Sequence, residues 1–275
     1  MPLFAFCPSP APSPAPAPPP WGCGATVTVD TVLENDVGPC PSGGIVIGDA
    51  VTHRGHPGPA DVVPYILSSR DNRIFGNNVV NNGPFGGISL YSEVDGDHPR
   101  TTSGLSTGNV IDSNTVVDNR IGRNGTVAGT DNDGIRIEPG TPGNFILNNR
   151  VTGNGLDGIA LFRRSADNVI RGNISSDNGL RTSARRGDGI RVFPGADRTV
   201  IEGNLTVRNG DNGIIVGSLD NRIEGNTSLF NQAFPPLNVN NPAVDLRDQN
   251  ATCDNNVWLD NRYGTVNPPC AGDTP

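Results

Sequence analysis

Three aspartates stand in one recurring phrase, Asp133-Gly134-Ile135, Asp157-Gly158-Ile159 and Asp188-Gly189-Ile190, and Asn212-Gly213-Ile214 takes the same place further on. Two of the phrases carry an arginine three residues after the acid, Arg136 and Arg191, and the first adds Glu138. Carboxylates held close together need a proton, an arginine or a cation between them. Such a set points to several kinds of chemistry. Asp133 with Asp188 is a candidate acid and base pair for glycoside hydrolysis. Asp133, Asp157, Asp188 and Glu138 offer hard oxygens for Ca2+. Arg136 and Arg191 can each fork onto a carboxylate of an acidic polysaccharide, and Phe162 and Phe193 join them as candidate substrate contacts. The structural alternative is that each aspartate caps its own Asp-Gly turn while the arginines only neutralise neighbouring acids.

The elements that must position these residues are visible as an internal repeat. One compact copy runs Asn144, Ile146, Asn149, Val151, Asn154, Gly155, Gly158, Ile159, Leu161. The central asparagines of successive copies are Asn77, Asn114, Asn149, Asn173, Asn204, Asn226 and Asn261, with shortest spacings of 22 and 24 residues. Nothing recurs at the helical period, whereas three short aliphatic alternations per copy suit a coil with three strands per turn. Each strand then pairs with its equivalent in the next turn about 4.8 Å away, and alternate side chains point inward. Ile146, Val151, Ile159 and Leu161 are the expected core of one turn. A recurring asparagine at the bend can bond its own backbone and the asparagines above and below it. Asn173, Asn204 and Asn226 also begin Asn-x-Ser/Thr glycosylation sequences, but side chains committed to such a column are expected to stay unmodified.

The asparagine column together with the Gly-Ile-x-Leu phrase resembles the right-handed parallel β-helix proteins of the pectate-lyase-like group, over about residues 68 to 265. The fold expected is all-β, a three-sheet right-handed parallel β-helix of about seven rungs, with Gly43-Gly44-Ile45-Val46-Ile47 as an early strand and a broken pattern over 49–67. The resemblance assigns the Gly-Ile-x-Leu strand to the first sheet, the Asn-x-Ile strand to the second and the strand after the central asparagine to the third. Insertions at 91–108, 120–132, 180–187 and 232–242 then border the first sheet, whose outward residues include Arg136, Glu138, Arg191 and Phe193. The resemblance also implies polysaccharide chemistry. In β-elimination, Ca2+ neutralises the uronate and an arginine, Arg136 or Arg191, acts as the base. In hydrolysis Asp133 and Asp188, two rungs apart, are separated by about 9.6 Å, near the upper end of the inverting range. The Gly-His-Gly of polygalacturonases and the Asp-Pro-His-Glu of alginate epimerases are both missing. The fold also hosts non-catalytic surface scaffolds, which stand as the competing class.

Composition narrows the field further. Apolar residues make up 34% of the 275 positions and aromatics 5%, against 36 glycines, so a thick core or a helical bundle is excluded. No apolar run approaches the roughly 18 residues of a membrane span. The formal charge is -8 with no basic run, which argues against a nucleic-acid partner. All 20 bases are arginine, so lysine Schiff-base chemistry is excluded. The His53-x-x-His56 pair lacks soft partners for a transition metal, and His98 is expected to be a loop residue.

Nine of the 25 prolines fall within residues 1–20, so 1–22 is expected to be an extended Pro/Ala/Ser-rich tail and 23–275 the β-helix. Cys23 with Cys40 and Cys253 with Cys270 are each 17 positions apart at the two ends of the repeat, and are expected to form disulfides that leave Cys7 free. The chain is accordingly expected to be a secreted or cell-surface monomer, although residues 1–6 do not form a full export signal.

Overall fold

The computed structural model describes residues 73–80, 87–90, 110–112, 115–117, 133–180, 186–232 and 242–272, together with short strands at 32–33, 36–37 and 45–47. Within them the chain coils through three parallel sheets of eight strands each, every strand pairing with its equivalent in the turns before and after. Ile159 pairs with Ile135 on one side and Ile190 on the other, and Asn-x-Ile strands pair likewise through Ile146, Ile111 and Ile170. The expected seven rungs are therefore eight. The additional one is the turn built from the strands at 32–47, which precedes the recurring phrase.

Strands of three residues suffice because each contributes a single inward pair or a single inward residue to a narrow core. Ile146, Val151, Ile159 and Leu161 are all fully buried, as are their counterparts Ile111, Ile170, Ile190 and Ile201. The third sheet differs. Its inward column changes from Val79 and Val151 to Ser175, Thr206 and Ser228, and each of these hydroxyls is satisfied: Ser175 donates to Gly189 O at 2.7 Å, Thr206 to Ser228 Oγ at 2.7 Å and Ser228 to Asp245 O at 2.7 Å. A buried polar column survives only if paired in this way.

Asparagine builds three columns where the sequence singles out one. In the central column Asn149, Asn173, Asn204, Asn226 and Asn261 stack, each amide donating to the Oδ1 of the next at 2.9 to 3.0 Å. A second column runs Asn154, Asn178, Asn209, Asn231 and ends on Asp245, which also accepts the backbone N–H groups of Gly264 and Thr265 at 3.0 Å. The third links Asn144 to Asn168 and, beyond Thr199, Asn221 to Asn256. At the C-terminal end a disulfide joins Cys253 to Cys270, as expected from the spacing. The Cys23–Cys40 pair, Cys7, the tail at 1–22, the broken segment 49–67 and all three histidines lie outside the described residues, as do most of the four insertions.

Candidate functional site

Alternation along the first sheet turns Ile135, Ile137, Ile190 and Val192 inward and Arg136 and Arg191 outward, as the pattern predicts. Outward is not the same as open. Ser89, Ala160, Ile215 and Arg247 occupy the same outward column and are all buried, and only 11% of the Arg136 side chain is accessible; Arg191, at 32%, is the more open of the two arginines.

Register explains how the arginines and aromatics meet. Glu138, Phe162 and Phe193 each follow their strand by one residue and so share a column. The Phe162 and Phe193 rings stack with centroids 4.6 Å apart and planes 16° from parallel. The Arg136 guanidinium lies 4.1 Å from the Phe162 centroid and that of Arg191 lies 4.3 Å from the Phe193 centroid. Two guanidiniums and two rings thus form one assembly spanning the rungs from 136 to 193. Cation–π contacts of this kind contribute about 0.5 to 2 kcal/mol each. Arg136 also pairs with Glu138 and donates to Asp133 Oδ2 at 3.2 Å, and Arg191 donates to Asp188 Oδ2 at 3.2 Å.

The three aspartates lie one rung apart, in a column of their own. Each caps the next turn rather than its own: Asp133 Oδ1 accepts the Asp157 N–H at 3.0 Å, Asp157 Oδ1 that of Asp188 at 2.7 Å, and Asp188 Oδ1 that of Asn212 at 2.8 Å. Asn212 extends the column, since its Oδ1 accepts from Val244 N and Arg247 Nε. Burial, reinforced by Asp188 and Asp133, drives the Asp157 carboxyl well above the ordinary aspartate range. Burial likewise raises Asp188 to about 6, against the pull of Arg191. Asp211, near Arg186, Arg247 and Arg191, is raised by burial too, and the buried Arg247 is lowered for the same reason.

This geometry bears on the expected chemistries. A calcium ion asks for six to eight oxygens. Here one oxygen of each aspartate caps a backbone N–H, and the second oxygens of Asp133 and Asp188 take an arginine, so most oxygens of the set Asp133, Asp157, Asp188 and Glu138 already have partners within the protein. Among the described residues no group of three or more histidines, cysteines or acids is arranged to hold a metal. The same bonds occupy Asp133 and Asp188 as a hydrolytic pair, and both are fully buried. Arg191 is a poor base, because Asp157 and Asp188 outweigh its burial and raise it further. What the sequence reading did not bring out is Ala160, which stands where its neighbours carry Arg136 and Arg191, and the extension of the charged face to Asp211 and, beyond the 232–242 insertion, to Arg247.

Comparison with known proteins gives a family and a distant structural likeness. The profile of the family described as right-handed β-helix region matches residues 65–228. The Dettilon tailspike protein has a crystal structure similar to this chain at 18% identity and a TM-score of 0.49. The likeness covers 75% of this chain and 41% of the tailspike chain, so it spans about two fifths of that protein's length. No curated protein matches the sequence.

Proposed function

Since the chain belongs to the right-handed β-helix family, we propose that it is a carbohydrate-contacting β-helix of the secreted or cell-surface kind, which binds an acidic polysaccharide on the outer face of the first sheet and does not cleave it. The observation that carries this reading is the assembly of Phe162, Phe193, Arg136 and Arg191. Aromatic surface gives a sugar ring an apolar plane, and a guanidinium offers its fork to a uronate carboxylate. Arg191 and Phe193 are the contacts, with Arg136 and Phe162 holding them in place from the rung below. Binding of this kind requires no metal. Cleavage draws no support from carboxylates that are buried and already bonded to backbone and arginine. The Cys253–Cys270 disulfide supports an oxidising compartment, and no helix of the described residues is long and apolar enough to cross a membrane.

Retention on immobilised polygalacturonate, alginate and chondroitin sulfate tests the reading. The protein should be retained by at least one of them and elute with salt. The pair Arg191→Gln with Phe193→Ala should remove retention while the circular dichroism spectrum is kept. In solution the polymer should show neither new ultraviolet absorbance from unsaturated uronides nor new reducing ends. A second reading, a purely structural β-helix, is favoured by the fact that both arginines already have acidic partners. Passage through all three gels without retention would establish that reading instead.

A further inference from the structure

The aspartate column contains more acid than its arginines can neutralise. Asp133 and Asp188 each receive an arginine three residues further on, but the residue in that place after Asp157 is Ala160. Arg136 is further shared with Glu138. Asp157 is 2% exposed, its Oδ1 takes the Asp188 N–H, and among the described residues no donor reaches its Oδ2. A buried carboxylate oxygen without a donor is an expensive group to leave ionised. The asparagine columns show what is missing, since there each amide donates to the next side chain. Asn212, at the C-terminal side of the acids, still does so, its Nδ2 reaching Asp188 Oδ1 at 2.8 Å. An aspartate can supply such a donor only as the neutral acid.

We propose that the Asp133–Asp157–Asp188 column is a one-proton site, in which folding holds Asp157 as the neutral acid at neutral pH and loss of that proton on raising the pH loosens the three rungs the column ties together. The charged groups acting on Asp157 among the described residues are Asp188 and Asp133, on the rungs to either side, and Arg191. One shell further out, Arg136 pairs with Asp133 and is shared with Glu138, while Asp211, with Arg186 and Arg247 about it, acts on Asp188. Behind the turns the third sheet contributes Val151, Asn154, Ser175 and Asn178, none of which titrates. The one cation acting on Asp157 among the described residues is Arg191, and its hydrogen bond goes to Asp188.

The sign of the effect follows from the folded state binding this proton more tightly than the unfolded chain. The stabilisation is complete below the ordinary aspartate value of 3.8 and is lost as the pH rises through the higher folded value. Asp188 acts in the same direction, between 3.8 and about 6.

Thermal unfolding of the wild type and of Asp157→Asn from about pH 4.5 to 8.5 tests the site. The amide has the shape of the neutral acid, carries no charge and supplies the missing donor. The wild-type midpoint should fall across this range, and Asp157→Asn should fall less and lie above the wild type at the alkaline end. The difference should grow by about 3 to 5 °C for each pH unit above the ordinary aspartate value over which the folded Asp157 keeps its proton. The infrared spectrum of the native protein near neutral pH should show the carbonyl stretch of a protonated carboxyl group, absent in Asp157→Asn. Equal pH slopes in the two proteins, or no such band in the wild type, would overturn the proposal. Should the variant fail to fold, the wild-type band decides alone.

Discussion

The Trp258 indole donates its Nε1–H to Asp248 Oδ2 at 3.0 Å, and the same oxygen accepts Asn256 Nδ2 at 2.8 Å. Asp248 is thereby the final acceptor of the asparagine column that arrives through Asn221 and Asn256. Asp248→Ala removes the acceptor shared by two buried donors, at about 1 to 3 kcal/mol for each hydrogen bond lost. The thermal midpoint should fall by roughly 4 °C or more, with loss of the near-ultraviolet signal of Trp258. Asp248→Asn, which keeps an acceptor oxygen, should recover part of the loss.

The Cys253–Cys270 disulfide closes a loop of 17 residues over the C-terminal strands. Closing a loop of that size stabilises by about 3 kcal/mol in the chain-entropy account. The double variant Cys253→Ser with Cys270→Ser should unfold about 6 to 12 °C below the wild type in a calorimeter. Non-reducing peptide mapping should recover the two cysteines in one linked fragment.

Two glycines should respond to alanine in opposite degree. A Cβ on Gly158 would lie 1.9 Å from Ser175 Oγ and 2.6 Å from Gly189 O, in the packed seam between the first and third sheets. Overpacking and the lost Ser175 hydrogen bond together should lower stability by about 3 kcal/mol or abolish soluble expression. Gly153 has φ +68° but open space around its Cβ position, so Gly153→Ala should cost only about 1 to 2 kcal/mol of backbone strain. Equilibrium urea unfolding distinguishes the two.

Asn173, Asn204 and Asn226 are each 1% exposed, and their amides donate to Ile146 O, Ile170 O and Ile201 O. Expression in a glycosylating host should leave all three unmodified, as peptide mass mapping would show. Occupied sites would mean that the central column opens before it is sealed.

The coil itself was legible because one amide serves the same bond at every turn, whatever the insertions between turns do to the spacing. The flanking columns were harder to see. One is interrupted by Thr199, and the other runs through four asparagines before it ends on Asp245. Alternation gave the outward direction of Arg136 and Arg191 correctly, but the contents of that face were hidden. Phe162 meets Phe193, and Arg136 meets Phe162, only through pairing between turns. The aspartates followed the same logic. Their phrase looks like a local Asp-Gly cap, yet the bond each makes is to a residue 24 or 31 positions later.

Hydrogen bonds along the columns have a direction. In the asparagine columns the earlier turn donates and the later one accepts, whereas in the aspartate column the later turn donates and the earlier one accepts. A stretch such as residues 144–167 presents donors and acceptors in the right sense to both its neighbours, because its partners lie 24 residues on. It is in effect an interchangeable part for the asparagine columns: a second copy spliced in after the first would meet the same asparagine partners on both sides. Growth from the C-terminal end is a different matter. There Asp245 and Asp248 close two columns with groups that accept and have no side-chain N–H to pass on. These two carboxylates write a stop into the two flanking columns at the C-terminal end.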